Sequence, residues 1–354
     1  MVTGFLWVGA ALLGCPVADH TAFSFYMDND TFSTPSTDRD YTMGVLFEWS
    51  GGWVRRGFLP HVIKGIDHVA GLGGLSSFSP ALDSYSFQFG DSAFTPKKED
   101  LGRTDPIYDD RPYANLLYVL VRRARVKGPE GGPQTAIVTD FTLGALGLNV
   151  GKAVQTAIHK AKDDAIPGGW GHQIASGGEP TLRYRVSLRH RFVEKNVLGR
   201  TKVDVSGSAD ASLGFYTNAS LGGRIRFGRI ATPWYAQERA PIVPYRASPF
   251  GSEAQPACPG KAHRPFEAYV WASGGGTVWA YNELLQGGFR HSDVTLGYGK
   301  DPAPLKPFIA DLQVGGTIRL LPFMGFAYAY SMHTPLFGGP KSRDHHWGGF
   351  TLTF

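Results

Sequence analysis

Several long stretches of the chain alternate polar and apolar residues with a period of two. Leu182, Tyr184, Val186 and Leu188 interleave with Arg183, Arg185, Ser187 and Arg189. Val203, Val205, Ala209, Ala211 and Leu213 do so with Asp204, Ser206, Ser208, Asp210 and Ser212. Leu221, Ile225 and Phe227 flank Arg224 and Arg226; Leu312, Val314, Ile318 and Leu320 alternate with Asp311, Gln313, Thr317 and Arg319. A strand sends successive side chains to opposite faces, so each stretch has one apolar and one polar face. A soluble β-sandwich alternates in the same way, but two features point elsewhere. The stretches run to about ten residues, the length a tilted strand needs to cross a bilayer. Neighbouring polar faces also carry opposite charges, Arg183, Arg185 and Arg189 beside Asp204 and Asp210. Cross-strand ion pairs lining a polar lumen account for that. The pattern predicts an all-β fold, a transmembrane antiparallel β-barrel.

Strands are predicted to start near Ala22, Tyr41, Asp83, Pro112, Gln134, Thr181, Lys202, Ala219, Pro265, Ser292, Phe308, Phe323 and His346. Single-chain bacterial barrels have even strand numbers. Pro302, Pro304 and Pro307 interrupt the region from Ser292 to Arg319, and proline avoids central ladders. Those two runs therefore merge into one kinked strand, leaving about 12 strands over residues 22–354. From Tyr41 to Trp49, Tyr41, Met43, Val45, Phe47 and Trp49 form the apolar face. The last segment places Phe350, Leu352 and Phe354 on one face. A terminal aromatic of that kind, Phe354, is the signal that the barrel-assembly machinery of the outer membrane reads.

Composition narrows the alternatives. Lys and Arg total 35 against 30 Asp and Glu, and no basic run marks a phosphate-tracking patch, so nucleic acid is not an expected partner. The 46 glycines suit a sheet that must bend around a barrel. Residues 5–14 form an apolar run too short to span a bilayer, and residues 1–18 read as a signal peptide cleaved after Ala18. Leu12-Leu13-Gly14-Cys15 also resembles a lipoprotein cleavage box, and removal of Cys15 would leave Cys258 as a lone thiol. No later apolar run is long enough for a transmembrane helix, so a membrane form must be a closed barrel.

With both termini in the periplasm, the linkers at roughly 28–42, 91–111 and 148–180 all face the exterior. They hold the polar constellations. Asn29 and Asp30 open a Ser, Thr, Pro and Asp-rich loop whose oxygens suit a hard cation such as Ca²⁺, although such a loop is more often simply a turn. By parity Asp30 shares the lumen face with Ser24 and Tyr26, and could converge with Thr42. The second linker is basic, with Lys97, Lys98 and Arg103, and would face anionic lipopolysaccharide phosphates or be a solvated loop. The third contains a helix over 151–162, expected across the barrel mouth. Its Gln155 and His159 lie four apart on one face, beside an apolar stripe of Val154 and Ile158. A neutral imidazole there could act as a general base. The linker 51–82 is long for a periplasmic turn. Its Trp53, Arg55, Arg56 and Phe58 could lie on the inner leaflet, or the segment could be a floppy insertion. The Pro-rich region 229–264 has no assignment.

Taken together, Asn29-Asp30, Asp38-Arg39-Asp40-Tyr41-Thr42-Met43-Gly44, Asp110-Arg111-Pro112-Tyr113-Ala114, Gln155 to His159, and Gly169-Trp170-Gly171-His172-Gln173 resemble the outer-membrane lipid A 3′-O-deacylase family. A weaker similarity runs from Glu283 to the C-terminus, so the resemblance covers nearly the whole mature chain. It implies a twelve-stranded barrel that removes the 3′-O-linked acyl group of lipid A by Ca²⁺-dependent ester hydrolysis. In that reading His159 activates water, Asp30 binds Ca²⁺ with Asn29 beside it, and Thr42 and Gln155 position the site. The partners are lipid A or lipopolysaccharide and the outer-membrane lipids. No GxSxG elbow offers a serine nucleophile. Two departures stand out. The family's Lys in the second outer linker could be Lys97, Lys98 or, in its stead, Arg103. The acid that follows the family's His has only Asp163 or Asp164 as loose matches. Alternative readings are an outer-membrane phospholipase and a catalytically silent barrel or pore.

Overall fold

The computed structural model describes residues 21–33, 40–73, 83–128, 133–163, 166–236, 266–290, 296, 304–321 and 324–354. Twelve antiparallel strands close into one barrel. They are β1 (Thr21–Asn29), β2 (Asp40–Gly51), β3 (Ser84–Thr95), β4 (Ala114–Lys127), β5 (Gln134–Leu146) and β6 (Glu179–Leu198). The rest are β7 (Thr201–Gly214), β8 (Tyr216–Arg229), β9 (Glu267–Asn282), β10 (Phe308–Leu321), β11 (Met324–His333) and β12 (His345–Thr353). Each strand pairs with the next, and β12 returns to β1 with Met27 opposite Phe350. No edge is left for lipid to satisfy. An even count puts the first and last strand ends together at a terminal end, opposite a distal end.

The expected count holds, but the expected merger does not. β10 begins at Phe308 rather than near Ser292. A short helix, Glu283–Gln286, follows β9, and Leu305 forms an isolated bridge to Phe337. The expected signal peptide, Cys15 and Cys258 lie outside the described residues.

The alternation sorts side chains as a membrane barrel requires. Leu182, Leu188, Leu213, Leu221, Phe227 and Leu320 are exposed on the outer wall, while Arg183, Arg185, Arg189, Asp204 and Arg226 are buried in the lumen. Asp140 accepts from both Arg122 (2.5 Å) and Arg185 (3.2 Å); Arg185 also reaches Asp210 at 2.6 Å, and Arg226 pairs with Asp204 at 3.0 Å. Charges so buried persist only when paired across strands.

Apolar side chains cluster in the lumen toward both ends. Distally, Tyr41, Phe94, Leu116, Tyr216 and Trp347 form one cluster. At the terminal end the chain beyond β8 folds back inside, packing Trp234 and Tyr235 on Ala124, Val126, Ala136 and Val138. Trp234 Nε1 donates to Gln134 Oε1 at 2.8 Å, and Arg189 donates to the Tyr235 carbonyl at 2.6 Å. A lumenal cavity beside Trp234 measures about 20 Å³, too small for a solute.

Two helical pieces lie against the outside of the wall. At the terminal end, α1 (Gly52–Arg56) and α2 (Leu59–Val69) join β2 to β3. At the distal end, α3 (Val150–Lys162) joins β5 to β6.

Candidate active site

The outward face of β1 carries Phe23, Phe25 and Met27, and Asn29 continues it. The chain then makes one 3-10 turn, Asp30–Phe32, which folds back over the outer wall. The Phe32 ring meets Phe350 at 5.2 Å, and its carbonyl accepts from the Tyr328 hydroxyl at 2.7 Å. Gly348 is required there, because a Cβ would overlap the Phe32 carbonyl. The turn buries the Asp30 side chain completely. Asn29 caps it by accepting from Thr31 N at 2.7 Å, while its amide donates to the Thr42 carbonyl.

Thr42 sits at an irregularity in the ladder. Tyr41 pairs with Phe94 and Met43 with Ala93, so Thr42 is the extra residue. A bulge of this kind re-aims the side chains beside it. Tyr41 was expected on the lipid face with Met43. Instead it turns into the lumen against Phe94, His345 and Trp347. Thr42 was expected on the lumen face with Asp30; instead its hydroxyl bonds the Thr95 hydroxyl at 2.5 Å. Asn29 makes a hydrogen bond to the Thr42 carbonyl.

The helix α3 does not cross the mouth. It lies on the outer wall of β3 and β4. A Cβ at Gly151 would come to 3.0 Å from Ala93, Asn115 and Trp170 at once, so glycine is what lets the helix dock. Val154 packs on a cluster of Met43, Ala93, Leu101, Ile107, Tyr113 and Trp170. Gly151, Gln155 and His159, four apart, make one buried face, while Lys152 and Lys160 are exposed. Gln155 Oε1 accepts from Trp170 Nε1 at 2.8 Å. Its buried Nε2 has no hydrogen-bond partner among the described residues. The Trp170 ring meets Tyr113 at a tilt, 4.9 Å between centroids. Gln173 donates to the Gly147 carbonyl at 3.0 Å, tying the end of the linker to its start. Beneath the helix, Asn115 Nδ2 donates to both Asp91 carboxylate oxygens, at 2.9 and 3.0 Å.

Asn29, Thr42 and Thr95 thus share the distal, outward side of the wall with the buried face of α3. Such polar burial on a lipid-facing surface is costly unless it serves a ligand or a reaction.

A family profile described as "Outer membrane protein LpxR" matches residues 5–354. The chain belongs to the LpxR family. It is an outer-membrane protein. No curated protein matches it. Among solved structures, LpxR from Salmonella typhimurium aligns with TM-score 0.68 at 15% identity, covering 94% of this chain and 99% of that one. The β domain of the Bordetella autotransporter BrkA aligns at TM-score 0.40 and 11% identity, over 94% and 98% of the two chains. At such identities the likeness shows the fold alone, and the second carries no argument.

In this LpxR-family chain the rim above the site is held by two cations that sequence reasoning missed. Arg343, from the β11–β12 loop, forks onto Asp40 at 2.7 and 2.8 Å and reaches Asp110 at 2.6 Å. Lys341 reaches Asp100 at 2.6 Å and Asp109 at 3.0 Å. Asp40 adopts φ of 69°, a left-handed conformation that Asp tolerates better than most residues. Arg343 therefore fixes the strained residue two before Thr42 and, through Asp110, the segment that carries Tyr113 to Trp170. Burial pushes the Asp110 carboxyl up, against the pull of Arg343. Burial also acts against the Arg343 charge, but Asp40 and Asp110 outweigh it and raise its pKa.

The candidates for the basic residue of the second linker have other engagements or are solvated. Lys97 lies 3.5 Å from Glu99, Lys98 is exposed, and Arg103 pairs with Asp100, Asp105 and Asp109. Asp163 is the left-handed C-cap of α3, and Asp164 lies outside the described residues, as do Asp38 and Arg39. Among the described residues, no group of three or more His, Cys, Asp or Glu is placed to hold a metal ion.

Proposed function

We propose that the chain is an esterase that removes the 3′-O-linked acyl group of lipid A in the outer leaflet, with its distal end facing the exterior. One observation carries this reading. The buried polar groups cluster on the lipid-facing side of the wall, roofed by α3, where an acyl ester arrives without leaving the membrane. In the reaction, His159 Nε2 or Nδ1 takes a proton from water, the hydroxide adds to the ester carbonyl, and the tetrahedral intermediate expels the sugar alkoxide. The imidazolium returns the proton to that alkoxide. Thr42 and Gln155 orient substrate; the unpartnered Gln155 Nε2 is a donor suited to a carbonyl or developing oxyanion. Trp170 holds Gln155 in place.

The family resemblance implies Ca²⁺. The groups at Asp30 fit a hard cation in kind: its own buried carboxylate, and the Asn29 amide oxygen once it gives up its bonds from Thr31. They do not fill a shell, so further ligands would be carbonyls, water or substrate oxygen. When bound, the ion supplies Lewis-acid polarisation of the ester carbonyl.

The test is mass spectrometry of lipid A incubated with the refolded protein, with Ca²⁺ and with a chelator. Loss of the 3′-linked acyl group only with Ca²⁺ supports both reaction and cofactor. Cleavage of phospholipid esters instead would move the assignment to a phospholipase, and no cleavage of either would leave a silent barrel.

A further inference from the structure

The helical hairpin at the terminal end takes no part in the site, yet it is built with care. Its wall-facing side is Val54, Leu59 and Ile63, packed on the outward Tyr85 and Val121 and beside Trp49, Phe87, Phe141 and Tyr184. Asp67 closes the contact. It is fully buried, takes Arg123 at 3.0 Å and accepts from the Tyr184 hydroxyl at 2.9 Å. A loosely held insertion would not bury a carboxylate so specifically.

The same hairpin carries a second apolar stripe that the wall does not use. Phe58, Val62 and Val69 recur at helical spacing and are exposed, Phe58 at 72% and Val69 at 88%. Trp53, 45% exposed, touches the outward Phe87 at 6.3 Å. The stripe thus continues the aromatic belt of this end, Phe23, Trp49, Phe87 and Phe354, onto the helices. Beside it lies a polar strip of His61, Lys64 and His68, with Arg55 and Arg56 at the start of the hairpin. Asp67 is the hairpin's one acid, and it is used by the wall, so the outward charge is entirely basic.

We propose that α1 and α2 form an interfacial anchor seated in the phospholipid leaflet around the terminal end. Trp53, Phe58, Val62 and Val69 enter the acyl boundary, and Arg55, Arg56 and Lys64 take anionic phosphate headgroups. Continuity with the barrel's lipid face decides the occupant: a leaflet covers the belt, and the stripe lies in its plane.

The test uses the full chain in vesicles of phosphatidylethanolamine, with or without phosphatidylglycerol. The fluorescence difference between wild type and Trp53→Phe isolates Trp53. Bromines near the headgroup end of the acyl chains should quench that signal strongly, and bromines at the chain ends weakly. A second arm weighs lipids retained on the purified barrel by native mass spectrometry. Enrichment of phosphatidylglycerol should fall on the order of fivefold in the triple variant Arg55→Gln/Arg56→Gln/Lys64→Gln, about the effect of one partly screened cation. Both variants change exposed or half-exposed residues, and heat-modifiable gel mobility checks that the barrel is closed. Trp53 quenched by aqueous iodide and not by bromolipid would overturn the proposal, as would unchanged lipid enrichment or a cross-linked second copy on this face. Esterase activity is read separately, so failure here leaves the catalytic reading untouched.

Discussion

The helices α2 and α3 dock on the same side of the barrel wall, at opposite ends, and their buried faces differ. The face of α2 is Leu59, Ile63 and Asp67, apolar apart from one carboxylate that is met by Arg123, Arg125 and Tyr184. The face of α3 is Gly151, Gln155 and His159, and Gln155 Nε2 is left without a hydrogen-bond partner among the described residues. The one polar group that α2 buries has its partners, although Arg123 Nε and Arg125 Nε beneath it have no hydrogen-bond partner among the described residues; α3 holds one of its own donors, Gln155 Nε2, in reserve. A helix whose own polar group is spent on the wall suits an anchor, and an unused donor on a docked roof marks a place where something else binds.

The sharpest break in that comparison is His159→Ala. Removing a general base should lower turnover about 10²–10⁴-fold while the barrel keeps its heat-modifiable mobility. Normal turnover would take the base role from His159. The matching cut at the other end is Asp67→Ala. Taking one partner from a buried pair costs roughly 3–5 kcal/mol, and the second carboxylate on Arg123, Asp83 at 2.8 Å, should keep the loss near about 3 kcal/mol. The expected result is a lower urea midpoint with turnover unchanged. Lost turnover at full stability would mean the two ends are coupled and the division into anchor and site is wrong.

Glycines offer a gentler pair. Leucine at Gly151 must push α3 from Ala93, Asn115 and Trp170, whereas Gly65 of α2 has nothing within 4 Å of a Cβ. Gly151→Leu should cost about 1–3 kcal/mol in overpacking, felt as roughly tenfold or more in turnover because Gln155 and His159 move with the helix. Gly65→Leu should leave turnover unchanged and should not destabilise α2. Equal effects at the two sites would show that α3 is not seated as described.

The fold was legible because period-two alternation is a local signal repeated a dozen times, and the even-number rule corrected the count even though the chosen merger was wrong. The shared face of Gln155 and His159 was legible for the same reason, since helical spacing is local. What could not be read was set by single irregularities and distant partners. The extra residue at Thr42 reverses the faces of Tyr41 and Thr42, and no pattern in residues 40–49 announces it. Arg343 meets Asp40 across 303 positions and Asp110 across 233, so its role is visible only when the barrel closes. The placement of α3 outside rather than over the mouth rests on Gly151 and on the Trp170 contact, of which the sequence showed only the Gly-Trp motif.

The smallest expected effect concerns the rim that holds that bulge. Burial raises the Asp110 carboxyl, so it takes a proton at a higher pH than an ordinary aspartate. A carboxyl whose folded value lies above its unfolded value binds the proton more tightly in the folded chain. Its contribution to stability is full below the unfolded value of about 4 and is lost as pH rises through the folded one. Acidification therefore does not unfold the barrel through Asp110. The same sign holds for local opening of the rim, where Asp110 would regain an ordinary carboxylate value: the proton favours the closed rim, and Asp40 still holds Arg343. On going from neutral pH toward about pH 4, protease cutting within residues 96–113 should fall severalfold with no fall in barrel Tm. Asp110→Asn should show the slower cutting already at neutral pH and flatten its pH dependence. If acid instead speeds the cutting, the bond from Arg343 to Asp110 outweighs the burial of that carboxylate, and the bulge at Thr42 is held from both sides.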